Sequence, residues 1–230
     1  MSYLLVHGGG MAASSWDRLV PLLDGTVVAP DLPGRGTRAD VDITTVTLSD
    51  CADAVVAAAE GLNDIILVGH SLAGVSLARV MPRLADRLHH VVFLAAVVPE
   101  DGTRVLDQID PQVRVYVEES IAGGIYHQER APAREILCND LDAEQSEWVL
   151  DRIVPDSAAL LAEPVDLSGL AANVPRTYVR TELDRCYVPE LQEKSIRRVG
   201  GDIRVLPTGH MPMVSRPAEL AGLLSSIASA

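Results

Sequence analysis

The sequence is short of aromatic residues, of basic residues and of cysteine, and each shortage excludes something. Only 3 % of its 230 residues are Phe, Trp or Tyr. Hydrophobic residues still make up 48 %, so the chain is globular and its core must be built from Leu, Val, Ile and Ala. Lys and Arg number 19 against 32 Asp and Glu, a formal net charge of −13. Such a balance repels phosphate backbones and anionic headgroups, so neither nucleic acid nor a membrane is expected as partner. The three cysteines, Cys51, Cys138 and Cys186, form neither a disulfide framework nor a metal-ligand spacing. No apolar run approaches the roughly 20 residues of a membrane span. Met1 leads into SYLLVHGGG without the basic and then apolar segments of a leader. A reduced, cytoplasmic protein of one domain is expected.

What is present is alternation. Short apolar runs read as strands: YLLVH (Tyr3–His7), TVVAP (Thr26–Pro30), IILVG (Ile65–Gly69), VVFLAAV (Val91–Val97), RTYVRT (Arg176–Thr181) and IRVL (Ile203–Leu206). They are nearly continuous rather than alternating, the mark of strands buried on both faces of a parallel sheet. Helical stretches lie between them. SSWDRLVPLL follows the first strand, with Ser14 or Ser15 as its N-cap. TLSDCADAVVAAAEG runs to a stop at Gly61, and SLAGVSLARVMPRL follows the third strand. VPELQEKSIRRVGG and SRPAELAGLLSSIAS complete the set. This order predicts an α/β fold, a mostly parallel sheet of about six strands flanked by helices. The alternation breaks between about Glu100 and Ser168, a charged stretch carrying Pro111, Pro132, Pro155 and Pro164. It is too long for a loop and reads as a mostly helical cap, residues 100–168, inserted in a single domain of residues 1–230.

Ligands of parallel sheets sit beyond the carboxyl ends of the strands, so reactive side chains just after strands are the ones to weigh. GHSLAG, Gly69–Gly74, follows IILV and opens a helix. It resembles the G-x-S-x-G turn that lifts a serine nucleophile clear of a sheet, with Ala73 at the last position. On this reading Gly69 and Ala73 are the small residues the turn needs, and Gly74 is an additional small residue in the helix rather than a displaced motif glycine. A helix N-cap serine is the alternative. A serine needs a base, and histidine titrates in the right range. His210, in PTGHMPM after the last strand, has the position for it. His7 ends the first strand and orders its turn, His70 belongs to the serine turn, and His127 lies in the cap. His89 and His90 precede a strand at the wrong end of the sheet. Asp184, after RTYVRTEL, is the carboxylate to orient the base, with Glu182 and Asp101 as competitors. The order Ser71, Asp184, His210 is that of a hydrolase. HGGG, His7–Gly10, supplies flexible backbone for an oxyanion site, whose donors would be the N–H groups of Gly9 and Leu72.

These pieces together resemble the α/β-hydrolase superfamily, and within it the plant methylesterase and hydroxynitrile lyase group with its bacterial esterase-like relatives. The resemblance rests on LLVHGGG, VVAPDLPGRG, IILVGHSLAG, VVFLAAVVPEDG, RTYVRTELDRCYVPELQ and GHMPMVSRPAEL. It implies a triad of Ser71, Asp184 and His210, Gly9 and Leu72 as oxyanion donors, and no cofactor or metal. The plant lyases carry a threonine where this chain has Gly8 and a lysine where it has Met211, so the chain follows the methylesterases at both positions. The expected activity is hydrolysis of a small, largely apolar carboxylic ester. A lyase of cyanohydrins, a weakly catalytic binding protein on the same scaffold, and a biosynthetic tailoring enzyme are the rival readings. Gly8, Met11, Tyr126, His127, Trp148 and Met211, together with Leu72, are the pocket candidates. Oligomeric state is open, a homodimer included.

Overall fold

The computed structural model describes residues 1–229. Within them the chain forms eight strands: β1 (Ser2–Val6), β2 (Thr26–Val28), β3 (Ile65–His70), β4 (Leu88–Leu94), β5 (Ile125–Tyr126), β6 (Asp156–Ser157), β7 (Arg176–Thr181) and β8 (Asp202–Leu206). Six of them make one parallel sheet in the order β2-β1-β3-β4-β7-β8. Side chains alternate across a strand, and here both faces are covered. Leu4 and Val6 of β1, Leu67 of β3 and Phe93 of β4 pack into one apolar cluster. Tyr3, Leu5, Ile66, Val68, Val92 and Leu94 pack into the other. A strand buried on both sides must be apolar throughout, which is why these runs are continuous. The edges relax the demand. β8 exposes Asp202 through Val205, and β2 is at most half-buried.

Nine helices accompany the strands among the described residues: α1 (Leu48–Ala58), α2 (Gly74–Leu84), α3 (Pro111–Ser120), α4 (Arg130–Leu137), α5 (Ala143–Leu150), α6 (Ala159–Ala162), α7 (Pro189–Val199), α8 (Pro212–Ser215) and α9 (Pro217–Ala228). Leu48 and Val55 of α1, Val75 and Leu77 of α2 and Ile196 of α7 join the first cluster. Leu220, Leu224 and Ile227 of α9 join the second. Local chemistry sets the ends. Thr47 accepts the Asp50 N–H at 3.1 Å, and the Asp50 carboxylate accepts the Thr47 N–H at 2.9 Å, a capping box that starts α1. α7 begins on Pro189 and closes on Gly200 at φ +67°.

The structure departs from the sequence reading in three places. SSWDRLVPLL forms two short 3-10 turns, Ala13–Trp16 and Val20–Leu22, rather than an α-helix. Pro21 has no N–H to give and disfavours helix at the residue before it. Neither Ser14 nor Ser15 caps the first turn, which starts after Ala12 without a side-chain cap. His89 and His90 lie inside β4 rather than ahead of it. Between β4 and β7 the chain leaves the sheet. It carries α3 to α6 and pairs β5 with β6 in a two-residue antiparallel ribbon, and no strand of this segment joins the main sheet.

The third departure is at the turn from β3 into α2. A Cβ on Gly69 would meet only the flexible Leu77 side chain, whereas one on Gly74 would meet the backbone carbonyl of Val97. Gly74 lies in the helix as read, but it must also be small, because the start of α2 comes up against the backbone that follows β4. Gly74→Ala gains about 1 kcal/mol of helix preference but must push backbone apart, for a net destabilisation of about 1–3 kcal/mol. Gly222→Ala in α9, where nothing lies within 4 Å of the added carbon, is expected to stabilise by about 0.5–1 kcal/mol. Urea unfolding of the two variants measures the contrast; equal shifts would show that the contact at Gly74 is loose.

Candidate active site

The end of β3 places Ser71 at φ +53°, a region that non-glycine residues avoid. Three contacts hold it there. Its carbonyl accepts the Val97 N–H at 2.9 Å. Gly74, three residues on, sits against the Val97 carbonyl. On the other side Gly8 is so close that a Cβ there would stand 2.9 Å from the Ser71 Cβ. The serine hydroxyl points to His210, with Oγ 2.9 Å from Nε2. His210 Nδ1–H donates to Asp184 Oδ2 at 2.7 Å.

Neighbouring strands explain the meeting. β7 and β8 are paired, and their loops continue side by side, with the Glu182 N–H on the Leu206 carbonyl and the Leu183 N–H on the Thr208 carbonyl. Asp184 follows one residue after Leu183 and His210 two residues after Thr208, so the two side chains emerge close together. His70 then ties the histidine to β3, because its Nε2–H donates to the His210 carbonyl at 2.9 Å. A carbonyl can only accept, so His70 carries its proton on Nε2. Burial, with the nearby His210 charge, lowers the His70 pKa to about 3. His70 thus stays neutral and holds this bond across the working pH range. His7 is likewise pushed down to about 4 by burial. It accepts the Leu32 N–H at Nε2, 3.2 Å, and stays in hydrogen-bond contact with the Gly8 carbonyl at 2.9 Å, ordering the glycine turn.

Asp184 is buried and fully partnered. Its Oδ1 accepts the N–H groups of Cys186 and Tyr187, both at 2.8 Å, and its Oδ2 accepts the Thr181 hydroxyl at 2.8 Å. Burial alone would raise its pKa; the His210 charge and these donors outweigh it and hold the carboxyl below its ordinary value. For His210, burial opposes the charge, and the Asp184 carboxylate outweighs burial, so its pKa lies well above 6.5. The competing acids are elsewhere. Asp101 accepts the Leu167 N–H, and Glu182 pairs with Arg180. The Thr181 and Gln192 support of Asp184 has no sequence signature, although an Asp receiving the amides two and three residues on is a turn pattern that the residue type favours.

Ser71 opens into a cavity of ≈ 390 Å³. Gly9, Met11, Leu72, Tyr126 and Met211 line it as expected, with His210. The Gly9 N–H has no protein acceptor among the described residues, and the Leu72 N–H lies in the first turn after the strand, ahead of any intrahelical bond. Three expectations fail. Gly8 touches Ser71 but not the cavity. His127 is exposed, because it follows Tyr126 in the ribbon and successive side chains point opposite ways. Trp148 lies away from the cavity, with the guanidinium carbons of Arg152 and Arg18 at 3.8 Å and 5.1 Å from its ring centroid. Missed from the sequence were Val97, Val105, Gln108, Leu161, Cys186 and Tyr187, which also line the cavity. Val97, Cys186 and Tyr187 lie within stretches that carry the resemblance, whereas Val105, Gln108 and Leu161 lie in no such stretch.

The chain belongs to the alpha/beta hydrolase family, whose sequence pattern it matches over residues 3–223. It is 28 % identical over 243 residues to a carbendazim hydrolyzing esterase of Nocardioides sp., covering 98 % of this chain and 99 % of that one. It is 26 % identical to the putative chloroplastic methylesterase 14 of Arabidopsis thaliana, over 98 % of this chain and 71 % of the relative. In fold it is similar to an extracellular α/β-hydrolase from a Paenibacillus species, with a TM-score of 0.87 at 23 % identity, covering 99 % of this chain and 98 % of that one. No cluster of His, Cys, Asp and Glu among the described residues is arranged to hold a metal, and no helix there is long and apolar enough to cross a membrane.

The strain at Ser71 can be weighed. Ser71→Gly and Ser71→Ala both remove the hydroxyl, but only glycine relaxes at positive φ. The glycine variant is expected to be the more stable of the two by about 1–2 kcal/mol, read as a Tm higher by about 2–8 °C for a chain of this size. Equal Tm values would mean that the turn carries no strain.

Proposed function

We propose that the protein is a serine hydrolase of the carboxylesterase type, cleaving a small, largely apolar carboxylic ester through an acyl-enzyme. The observation that carries this reading is the unbroken contact from Ser71 Oγ through His210 to the buried Asp184, opening into a cavity lined mainly by apolar side chains. His210 Nε2 takes the Ser71 proton as Oγ attacks the ester carbonyl. Asp184 keeps the imidazole in the right tautomer and offsets its charge. The N–H groups of Gly9 and Leu72 receive the developing oxyanion. His210 then protonates the leaving alcohol, and water, deprotonated by the same nitrogen, releases the acid. Residues 100–168 act in this reading as a cap over the site within a single domain, supplying Val105, Gln108, Tyr126 and Leu161 to the cavity. The esterase names of the relatives in Nocardioides and Arabidopsis support it.

Departing cyanide would need a nearby cation. The cavity lining has Met211 beside His210 and contains neither lysine nor arginine among the described residues, which favours ester cleavage over cyanohydrin lysis. A binding role alone would need neither the strained serine nor its partners.

Ser71→Ala is expected to lose p-nitrophenyl acetate hydrolysis by at least about 10³-fold while unfolding at nearly the wild-type temperature; retained turnover would exclude the mechanism. Fluorophosphonate labelling followed by peptide mapping should place the modification on Ser71. The base must be neutral to accept the proton, so kcat/KM is expected to rise with pH through an apparent pKa above 6.5, the ordinary histidine value from which His210 is raised. Asp184→Asn should move that limb to lower pH and cut kcat by on the order of 10⁴-fold. An acid limb that stays in place in this variant would remove Asp184 from the titration.

A further inference from the structure

One buried ion pair lies outside the reacting groups and yet touches the glycine turn. Arg35, in the loop after β2, pairs with Asp156 of β6, and both side chains are fully buried. Arg35 Nη1 also donates to the Pro33 carbonyl at 3.1 Å. Asp156 Oδ1 accepts the Ser157 N–H at 2.7 Å, and its Oδ2 accepts the Gly10 N–H at 2.8 Å, across 146 residues of sequence. The Gly10 carbonyl accepts the Val154 N–H at 2.9 Å. Gly10 is therefore held at both its amide and its carbonyl by the segment that contains β6, at φ +68°. Around the same turn, Asp31 accepts the Ala13 N–H at 2.8 Å and the Leu32 N–H reaches His7.

Consecutive glycines have no conformation of their own. Something must decide which of the amides in HGGG faces the cavity. Asp156 draws the Gly10 N–H away, while the Gly9 N–H keeps no protein acceptor among the described residues. Fixing the Gly10 amide fixes the Gly9–Gly10 peptide plane, one φ/ψ pair from the Gly9 N–H. Arg35 is what allows a carboxylate to remain charged at a buried site, and a charged acceptor grips an N–H harder than a neutral one.

We propose that Arg35 and Asp156 are positioning residues for the oxyanion site, with Asp156 orienting the glycine turn through the Gly10 N–H and Arg35 keeping Asp156 charged. The inference rests on the hydrolase reading of Ser71. It also makes seating of the inserted segment and formation of the oxyanion site one event, since the acceptor for Gly10 arrives on β6.

Removing one charge alone would strand the other in the core, so two charge-free double variants carry the test. Arg35→Met with Asp156→Leu fills the site with apolar side chains and leaves the Gly10 N–H without an acceptor. Arg35→Met with Asp156→Asn also lacks the ion pair but keeps an oxygen for Gly10. The readouts are the rate of Ser71 labelling by a fluorophosphonate, the kcat and KM for p-nitrophenyl acetate, and Tm. The Met/Leu variant is expected to label and turn over roughly 100-fold more slowly than wild type, with KM within about threefold. The Met/Asn variant should recover roughly tenfold of that loss, whatever the order of the two Tm values. Equal labelling by the two double variants, or a Met/Leu variant that labels at the wild-type rate, overturns the positioning role and leaves the hydrolase reading standing. A wild-type protein whose Ser71 neither labels nor supports turnover removes both.

Discussion

The positive φ of Ser71 is the constraint to which the rest of the site is fitted. A backbone in that region relaxes unless its surroundings over-determine it. Here the surroundings are the Val97 N–H on the Ser71 carbonyl, Gly74 against the Val97 carbonyl and Gly8 against the serine Cβ. Each contact requires a small residue or a free backbone group at one position, and together they join β1, β3 and the turn after β4. The strained turn points the hydroxyl out of the sheet, where His210 can reach it. In the proposed mechanism, relaxing the turn would cost the site its nucleophile before it cost the fold anything. Stability and reactivity are opposed at this residue.

Electrostatics sets the second constraint. Ser71, Asp184 and His210 are all buried, so every charge that develops there must have a partner at once. Asp184 answers with four donors, three of them from its own strand and the turn that follows. The two shifts act on stability in opposite senses. Asp184 is lowered, so its contribution is present above the ordinary carboxylate pKa and is lost as pH falls through the lowered value. His210 is raised, so its contribution is present below 6.5 and is lost as pH rises through the raised value. The alkaline side, where His210 is neutral, is the side on which its own contribution to folding is lost while that of Asp184 remains. His70 and His7, whose pKa values burial lowers to about 3 and about 4, stay neutral where His210 titrates and hold geometry there without adding a titration of their own.

The legibility of the sequence follows from how local each requirement is. Strands buried on both faces must be continuously apolar, so β1, β3, β4 and β7 could be read directly. The reacting residues follow strand ends, and strand ends are visible. That Gly74 must be small could not be read, because its neighbour, Val97, lies in the turn after β4. The region after β1 read as helix because its apolar spacing suits one; Pro21 denied it. Tyr126 and His127 stand at adjacent positions, and only the pairing of β5 with β6 decides which faces inward. Trp148 looked like a pocket residue for want of any sign that two arginines flank it. Arg35 and Asp156 lie 121 positions apart, counting from 35 to 156, and no spacing rule connects them.

The division between legible and hidden parts has a chemical reason. In the proposed mechanism the hydroxyl, the imidazole and the carboxylate perform the same proton transfers on any ester, and all three follow strands of the sheet, where backbone geometry repeats. Discrimination among esters needs surfaces shaped to one substrate. In the proposed reading those come from the segment between β4 and β7, whose Val105 and Gln108 reach the cavity from one 3-10 turn, Tyr126 from β5 and Leu161 from α6. The segment has no sheet to discipline its pattern, so its contacts are set by tertiary packing alone. It is nevertheless joined to the reacting end of the molecule through Asp156 and Val154 on Gly10. If, as proposed, the glycine turn receives the oxyanion, a substrate that fits the segment poorly strains that same turn. Specificity in the proposed arrangement would be expressed in kcat as well as in KM, because binding and transition-state stabilisation would share one mechanical connection.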